Sequence, residues 1–511
     1  METFLINYAS PFIKLLLTII VVLLVFCIPL IIKQFSGINK KTWLVLFLIF
    51  IFSLSIRLFI VPHANYVYHD EFSHVNIAAN ISVENGFCEC RYGSIAECKN
   101  CDLMPWPPAY HSFLSLVFNV FSPSNNSAFL VNIILGSLTA VLFFFIAYLI
   151  FKDKPLSLAA AIIFSLIPVN LKFSGTAAYD IFSIFWVLLA YLVFLIYKRT
   201  TSIKLLWLTI FSLIFTAYIR PEYFMYFSFI LIFIYFGKPK INTINKILLP
   251  FTAILSMVPL GMQIYYGINI MQSPGYKDSL GLKLFYLAQY LPSNLYFFFR
   301  PSYNSILFSV FALIGILVLF KKNKTKLLFY SCFFLLFILI YSSFHTGLFH
   351  HLDSSRYSLI LYLPLSILLL YGVEFILAKF KGHKNEYLII IILIIFISTL
   401  PTYSYINSSS IFKPGYDLLL EQSQQLPKDS YIISYNTSII MSLYKSKSIS
   451  PYDFFYSKID FSGDEVYLYK DIWWEQNYSY STQFEKKLVK IYNFETISNT
   501  KGAQFIKLNK K

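Results

Sequence analysis

The chain alternates long apolar runs with short polar stretches that carry most of its lysine and arginine residues. A helix needs about 20 apolar residues to cross a bilayer, and twelve runs approach this length. They are residues 12–32, 43–61, 128–151, 156–173, 181–197, 205–219, 223–236, 247–266, 305–320, 327–344, 359–377 and 387–401. The short runs around Arg220 predict tilted helices or a dipped loop. The sequence therefore predicts a polytopic α-helical membrane protein with about twelve transmembrane helices.

Composition narrows the class of protein further. Hydrophobic residues make up 57% of the 511 residues, charged residues make up 13%, and the mean hydropathy is +0.64. A soluble domain has about 25% charged and about 45–50% apolar residues. The net charge of +16 is compatible with nucleic-acid binding, but the basic residues cluster between the apolar runs, as they do in membrane proteins. Soluble enzymes, disordered chains and nucleic-acid-binding domains are therefore excluded, and the lipid bilayer is an expected partner.

The distribution of basic residues predicts the orientation in the cell membrane. One alternate set of loops holds eighteen lysines and arginines, and the opposite, longer set holds only seven. The rich set consists of Lys33, Lys40, Lys41, Lys152, Lys154, Lys198, Arg199, Lys204, Lys238, Lys240, Lys246, Lys321, Lys322, Lys324, Lys326, Lys379, Lys381 and Lys384. Basic loops stay in the cytoplasm. The N-terminus, the loops 62–127, 267–304 and 345–358, and everything after 401 are therefore expected outside.

The sequence divides into three parts. Residues 1–42 are an extra N-terminal transmembrane helix and a cytoplasmic loop, because the first run lacks the basic flank and the cleavage site of a signal peptide. Residues 43–401 are the main transmembrane module. Residues 402–511, where charged residues return, are expected to form a small extracytoplasmic α/β domain, with a strand at 431–435 and a helix at 439–444.

The outer loop 62–127 carries the strongest candidate for chemistry. Asp70 and Glu71 are adjacent carboxylates, with His69 and His74 beside them, shortly after a membrane helix. Repulsion between neighbouring carboxylates raises one pKa toward the range of a general base. The alternative is that Asp70 only caps a helix running over 71–84. The same loop ends in an amphipathic stretch, 109–121, which predicts a helix lying at the membrane interface.

Three further outer helix ends carry ionisable residues. They are Tyr179-Asp180, Arg220-Pro221-Glu222, and the run from His350 and His351 through Asp353 to Arg356. Arginine on the outer side runs against the usual trend, and an anionic lipid-linked phosphate would explain it through bidentate contacts. The alternatives are a helix cap at Asp180 and local salt bridges from Arg220 to Glu222 and from Arg356 to Asp353. A base beside phosphate-binding cations predicts an enzyme that acts on a lipid-phosphate substrate.

The order of these motifs resembles a known family. The motifs are Asp70-Glu71, Ile77-Ala78-Ala79-Asn80, Asn85-Gly86-Phe87, Trp106-Pro107-Pro108-Ala109-Tyr110, Leu166-Ile167-Pro168, Tyr179-Asp180, Arg220-Pro221-Glu222, and Arg356-Tyr357 before Leu363-Pro364-Leu365. Over residues 43–401 they are similar to GT-C glycosyltransferases, in the branch of dolichyl-phosphate-mannose protein mannosyltransferases and the lipid A aminoarabinose transferase. Each motif is unspecific alone, so the resemblance depends on their order.

The resemblance implies an inverting glycosyltransferase that moves a sugar from a polyprenyl-phosphate donor to a hydroxyl group of a protein, lipid or glycan. Asp70 then matches the catalytic acidic residue, with Glu71 beside it. Asp180 matches a second acidic position near the donor phosphate or a divalent metal, and Arg356 matches a phosphate-side cation. Arg220 and His351 are expected in the same vicinity. The extra first helix and a cysteine insert depart from the family pattern.

The cysteine insert reads Cys88-Glu-Cys90 and Cys98-Lys-Asn-Cys101 in the first outer loop. Disulfides are the default outside the cytosol. Cys88 and Cys90 are poorly placed to bond each other, so two of the three pairings remain. A structural tetrathiolate zinc site is the alternative.

The sequence is also compatible with three other classes of function. A flippase or transporter of lipid-linked sugars would carry polar residues near the bilayer midplane, whereas this chain keeps them at the outer rim. A polymerase or ligase of surface polysaccharide differs only in the Asp70-Glu71 loop. An oligosaccharyltransferase-like enzyme is suggested by Trp473-Trp474-Glu475, which resembles a Trp-Trp-Asp signature but departs from it at Glu475 and at the following two residues.

Overall fold

The structure, a computed structural model, is mainly helical. It describes all residues except 65–67, 91, 99–100, 105, 237–242, 270–278, 352, 381, 428–429, 445, 457–464, 472–473, 475–477 and 501. The helices up to residue 401 are α1 (Glu2–Phe35), α2 (Lys40–Phe59), α3 (Tyr68–Ser82), α4 (Pro108–Phe121), α5 (Asn125–Phe151), α6 (Lys154–Ser165), α7 (Pro168–Ser174), α8 (Asp180–Thr200), α9 (Ile203–Ala217), α10 (Phe224–Phe236), α11 (Thr243–Asn269), α12 (Leu280–Phe297), α13 (Ile306–Lys322), α14 (Lys324–Ser342), α15 (Tyr362–Leu377) and α16 (Lys384–Thr399). Short 3-10 turns cover Pro221–Tyr223 and Ser354–Leu361.

The helices form a membrane-spanning bundle. Among the described residues, eight helices are long and apolar enough to cross a bilayer, or nine if the bent pair of α6 and α7 is one span. Apolar side chains such as Phe47 and Ile254 lie exposed on the bundle, as expected of a lipid-facing surface. Eleven of the twelve predicted runs each coincide with one helix and the run 156–173 with two, but α9 and α10 are shorter than a full span. A multi-pass protein is confirmed, and the count of twelve spans is not.

The run predicted as one span at 156–173 is broken. α6 and α7 meet at a bend of 57°, because Pro168 lacks a backbone N–H and disfavours a helical conformation in Ile167. The buried Arg57 of α2 donates to the carbonyl of Ser165, at 3.4 Å, and so pairs a buried carbonyl at the C-terminal end of α6. The bend directs α7 toward the outer end of the bundle, where the loop 175–180 follows.

The outer loop folds onto the bundle as two helices and a small hairpin. α4 is the predicted amphipathic helix: Tyr110 and Leu114 are buried, while Val120 and Phe121 are about 70% exposed, which suits the membrane interface. Strands β1 (Glu89–Cys90) and β2 (Cys101–Asp102) pair antiparallel. Their hairpin also forms two backbone hydrogen bonds, of 3.1 and 2.9 Å, between Gly93 and Ser448 of the C-terminal region. The insert therefore ties the outer loop to the tail.

The four cysteines of the insert form two disulfides. Cys88 bonds Cys101 and Cys90 bonds Cys98, with Cα–Cα distances of 5.4 and 5.7 Å that are normal for disulfides. This is one of the two pairings that the spacing favoured. All four sulfurs are then used in covalent bonds, which favours the disulfide interpretation over zinc.

The tail contains the predicted α/β domain. Its elements are α17 (Tyr403–Ile406), α18 (Lys413–Gln425), β3 (Tyr431–Ile433), α19 (Thr437–Tyr444), β4 (Lys447–Ile449), α20 (Pro451–Tyr456), β5 (Val466–Lys470), α21 (Tyr478–Ile491), β6 (Tyr492–Thr500) and β7 (Ala503–Lys510). The sheet order is β4-β3-β5-β7-β6, with β3 parallel to β4 and β5, and β7 antiparallel to both its neighbours. α19 packs on α3, where Asn76 donates to the Ser438 carbonyl, so the domain covers the outer loop.

The two ends of the bundle differ in chemistry. At one end Lys384 pairs with Asp153, Arg199 donates to the Leu149 carbonyl, and Lys326 donates to Tyr371. The basic loops that carry Asp153, Arg199, Lys326 and Lys384 therefore lie at this end, and the outer loop and the tail domain lie at the other. This agrees with the alternation of loops from which the orientation is predicted. The assignment of the basic end to the cytoplasm stays a prediction.

Candidate active site

Asp70 and Glu71 lie in the first turn of α3 and face different surroundings. The helix begins at Tyr68, so Asp70 is not the helix cap that the alternative interpretation required, although a carboxylate in the first turn favours the helix dipole. Successive helical residues are rotated by about 100°. Glu71 is consequently fully buried, whereas Asp70 is 19% exposed. The adjacent carboxylates are therefore suited to different roles.

Asp70 forms an ion pair with an arginine 286 residues away. Its Oδ2 accepts a hydrogen bond of 2.7 Å from Nη2 of Arg356, which lies in the turn Ser354–Leu361. Asp353 is 3.8 Å from the same nitrogen and is more exposed. The local pair proposed as the alternative is therefore the weaker contact. The structure brings the first and the last of the sequence motifs together.

The second ion pair joins Asp180 to Arg220. Both side chains are almost fully buried, and Arg220 also donates to Glu222 Oε1 at 3.0 Å. The residue that caps α8 is Tyr179, without a side-chain capping bond, so the interpretation of Asp180 as a cap is wrong. The local pair of Arg220 with Glu222 exists, but beside the long-range pair.

The two arginines are neighbours with unused donors. The Tyr357 ring lies 5.2 Å from the guanidinium carbon of Arg220 and 5.3 Å from that of Arg356, both within cation–π range. Among the described residues, Arg220 Nε and Arg356 Nε and Nη1 are buried without a hydrogen-bond partner. Buried unsatisfied donors are costly, and guanidinium groups suit phosphate oxygens. The cluster therefore retains guanidinium donors that can bind an anion.

Glu71 holds the loop that presents Asp180. Its Oε2 accepts the backbone N–H of Ala177 at 2.5 Å, and Tyr110 donates to the Ala177 carbonyl at 2.8 Å. Asn132 donates to the carbonyls of Thr176 and Ala178, both at 2.7 Å. Side chains from α3, α4 and α5 thus fix the loop 175–180. Glu71 acts here as a positioning residue, and its predicted place in catalysis stays a prediction.

The remaining predicted residues are less well placed. His351 is exposed on the loop that carries Arg356, and its assignment to the donor vicinity stays a prediction. In the described part of the chain, no group of three or more His, Cys, Asp or Glu side chains is arranged to hold a metal. Asp180, the acidic residue expected near a metal, and its neighbour in the site Asp70 are each paired with an arginine. These residues do not form a metal donor set, and the expected metal stays a prediction.

Sequence reasoning left three buried groups unassigned. Lys172 of α7 donates to Ser408 at 2.9 Å and lies 4.2 Å from the Tyr405 ring, which anchors the tail on the bundle. His74 lies one helical turn after Asp70, and His111 contacts it at 2.9 Å. The spacing of four residues between Asp70 and His74 was a usable signal, because such residues share a helix face.

Comparison with known proteins identifies the fold. No family model and no curated protein matches the sequence. Among solved structures, apo ArnT from Cupriavidus metallidurans matches with a TM-score of 0.61 and 8% identity, over 91% of this chain and 98% of that one. ArnT from the same organism bound to undecaprenyl phosphate matches with a TM-score of 0.55 and 9% identity, over 92% of this chain and 98% of that one. A third match is the archaeal oligosaccharyltransferase AglB from Archaeoglobus fulgidus, in complex with an inhibitory peptide and a dolichol-phosphate. Its TM-score is 0.54 and its identity 12%, over 91% of this chain and 74% of that one.

These structures share little sequence with the chain, so the similarity concerns the fold. It extends over about nine-tenths of the chain, the transmembrane bundle and the outer part together. The resemblance inferred from the order of the outer motifs pointed to the same superfamily. The chain therefore has the fold of the GT-C superfamily, to which both neighbours belong.

Proposed function

We propose that the protein is an inverting glycosyltransferase at the extracytoplasmic face of the membrane. It moves a sugar from a polyprenyl-phosphate donor to a hydroxyl group of a protein, lipid or glycan. The proposal is supported by the GT-C fold and by the polyprenyl-type phosphates present in the AglB and ArnT structures. The observation that carries it is the pair of buried arginines with unused donors beside Asp70.

The reaction assigns separate tasks to the two ion pairs. Arg220 and Arg356 bind the donor phosphate, whose oxygens compete with Asp70 and Asp180 for the guanidinium groups. Once Arg356 contacts the phosphate, Asp70 is free to take the proton of the acceptor hydroxyl. The hydroxyl oxygen attacks the anomeric carbon opposite the phosphate, and the bond from that carbon to the phosphate oxygen breaks. The electron pair of that bond stays on the phosphate oxygen, so the leaving polyprenyl phosphate gains one negative charge, which the two arginines stabilise.

Two alternatives fit the structure less well. A flippase would keep polar groups near the midplane, whereas the two ion pairs described above lie at the outer end of the bundle. The suggestion of an oligosaccharyltransferase-like enzyme rested on Trp473-Trp474-Glu475. Trp474, however, belongs to the core of the tail domain, where its Nε1 donates to Glu485 at 2.6 Å. Trp473 and Glu475 lie outside the described residues. Trp474 is thus used for packing.

The test is mass spectrometry of surface glycans and glycolipids from a strain that lacks this protein. We expect one sugar to be missing from one glycan class, and the wild-type gene, but not one encoding Asp70→Asn, to restore it. Unchanged glycans, or a lipid-linked sugar that accumulates inside the cell without loss of transferase activity in membranes, would contradict the proposal. The second result would indicate a flippase.

A further inference from the structure

A buried pair of histidines lies beside the arginine cluster, and its protonation can be deduced. His111 Nδ1 lies 2.9 Å from the Pro107 carbonyl, and His111 Nε2 lies 2.9 Å from His74 Nδ1. A carbonyl oxygen only accepts, so His111 Nδ1 carries the proton, and in the neutral ring Nε2 is then an acceptor. His74 Nδ1 must therefore donate to it. This leaves a bare lone pair on His74 Nε2.

That lone pair is buried and unused. His74 Nε2 has no hydrogen-bond partner within the described part of the chain, and the whole side chain is inaccessible to solvent. Its ring lies 4.7 Å from the Tyr179 ring, which lies 4.9 Å from the Arg220 guanidinium carbon. Buried polar atoms are normally satisfied. This acceptor, close to the proposed phosphate site, is available to a ligand with an O–H or N–H group.

His74 remains neutral in this environment. Burial, followed by His111 and by the cations Arg356 and Arg220, lowers the pKa of His74 well below 6.5. Burial also lowers the pKa of His111 to about 3. Because burial disfavours the charged imidazolium, the neutral ring is the favoured form of His74. It accepts a hydrogen bond, and no proton is transferred to it.

We infer that His74 Nε2 accepts a hydrogen bond from a hydroxyl group of the transferred sugar. The inference rests on the proposed glycosyl transfer and names a determinant of donor specificity. The acceptor hydroxyl has one proton, which goes to Asp70, so it cannot also serve His74. The sugar lies between the phosphate on the arginines and the acceptor at Asp70. His74, one turn after Asp70 on α3, is then next to a ring hydroxyl.

Two amide substitutions distinguish the role of His74 Nδ1 from that of His74 Nε2. In His74→Asn the amide nitrogen replaces Nδ1 and still donates to His111, but nothing replaces Nε2. In His74→Gln the longer side chain brings its amide oxygen near the Nε2 position, where it can accept. A residue needed only for packing, or only for the contact with His111, would not favour glutamine over asparagine.

The experiment measures transfer to membranes of the deletion strain from undecaprenyl-phosphate glucose, galactose or mannose. With the donor that the wild type uses, we expect His74→Asn to lower kcat/KM about tenfold, the effect of one neutral hydrogen bond, and His74→Gln to restore most of it. Replacing the contacted hydroxyl by hydrogen in the donor should lower wild-type kcat/KM about tenfold and leave His74→Asn unchanged. Affinity for undecaprenyl phosphate, which carries no sugar, and the melting temperature should be unchanged in both variants.

Three results would overturn the inference. They are equal activity of His74→Asn and the wild type, equal loss in both variants when both melt at the wild-type temperature, or weaker undecaprenyl phosphate binding in His74→Asn. Should wild-type protein transfer no sugar from these three donors or from the lipid-linked sugars extracted from the wild-type strain, while still binding undecaprenyl phosphate, the proposed function itself fails, and the inference fails with it. The two failures are therefore distinguishable.

Discussion

Replacing Asp70 by asparagine tests the central step of the proposed reaction. The substitution keeps the shape and removes the basicity. An asparagine oxygen can still accept the 2.7 Å hydrogen bond from Arg356 Nη2, so the arginine is not left without a partner. A positioned general base contributes about 10²–10⁴-fold in rate, or about 3–5 kcal/mol of transition-state stabilisation. We expect kcat to fall by this factor.

The cost in stability should be much smaller than the cost in rate. Asp70 is partly exposed, and weakening one charge-assisted hydrogen bond costs about 1–2 kcal/mol. Asp353→Asn is the matched control, because it removes a carboxylate 3.8 Å from the same arginine nitrogen without touching the proposed base. It should retain transfer within about threefold of wild type, since a weak, exposed ion pair contributes about 0–1 kcal/mol.

The assay uses purified protein in lipid nanodiscs, with a polyprenyl-phosphate sugar and its acceptor. Binding of undecaprenyl phosphate and the melting temperature are measured in parallel, to separate chemistry from folding. If Asp70→Asn turns over within threefold of wild type, the assignment of the base is wrong and Asp180 becomes the next candidate. If Asp353→Asn loses as much activity as Asp70→Asn, the effect reflects the charge around Arg356, and Asp70 is not the base.

The remaining predictions concern stability, covalent structure and orientation. Glu71→Gln should lower transfer less than tenfold, because the amide oxygen still accepts from the Ala177 N–H, whereas Glu71→Ala should lower the melting temperature; equal effects of both changes on turnover alone would contradict a positioning role. Denatured protein should show two free thiols without reductant and six with it; six without reductant would contradict the disulfides. An impermeant thiol reagent on whole cells should label Gln424→Cys and not Ser36→Cys, both exposed positions, and the reverse pattern would invert the topology. Because the pKa values of the buried His74 and His111 are lowered in the folded state, the unfolded chain binds more protons below about pH 6.5. The free energy of unfolding should therefore fall by about 1 kcal/mol per histidine between pH 7.5 and 5.5. In a variant with glutamine at both positions it should fall less over the same pH range.

Local features of the sequence determined the class of protein and most of its elements. Apolar length identified the membrane helices, because the bilayer fixes how many residues a span needs. Alternating and helical patterns in the tail predicted the strand that begins at Tyr431 and the helix that ends at Tyr444. The order of the outer motifs pointed to the GT-C fold. Pro168 was a sequence signal for the break in the helix, but the uninterrupted apolar run led to the prediction of one span over 156–173.

The pairing of charges was decided only by the tertiary structure. The sequence placed Asp70, Asp180, Arg220 and Arg356 at outer helix ends, but the only charge pairs it suggested were local ones, between near neighbours. In the folded chain, Asp70 meets Arg356 across 286 residues and Asp180 meets Arg220, because helices distant in sequence pack side by side. Burial requires such pairing, because charges removed from water are costly unless the fold supplies a partner.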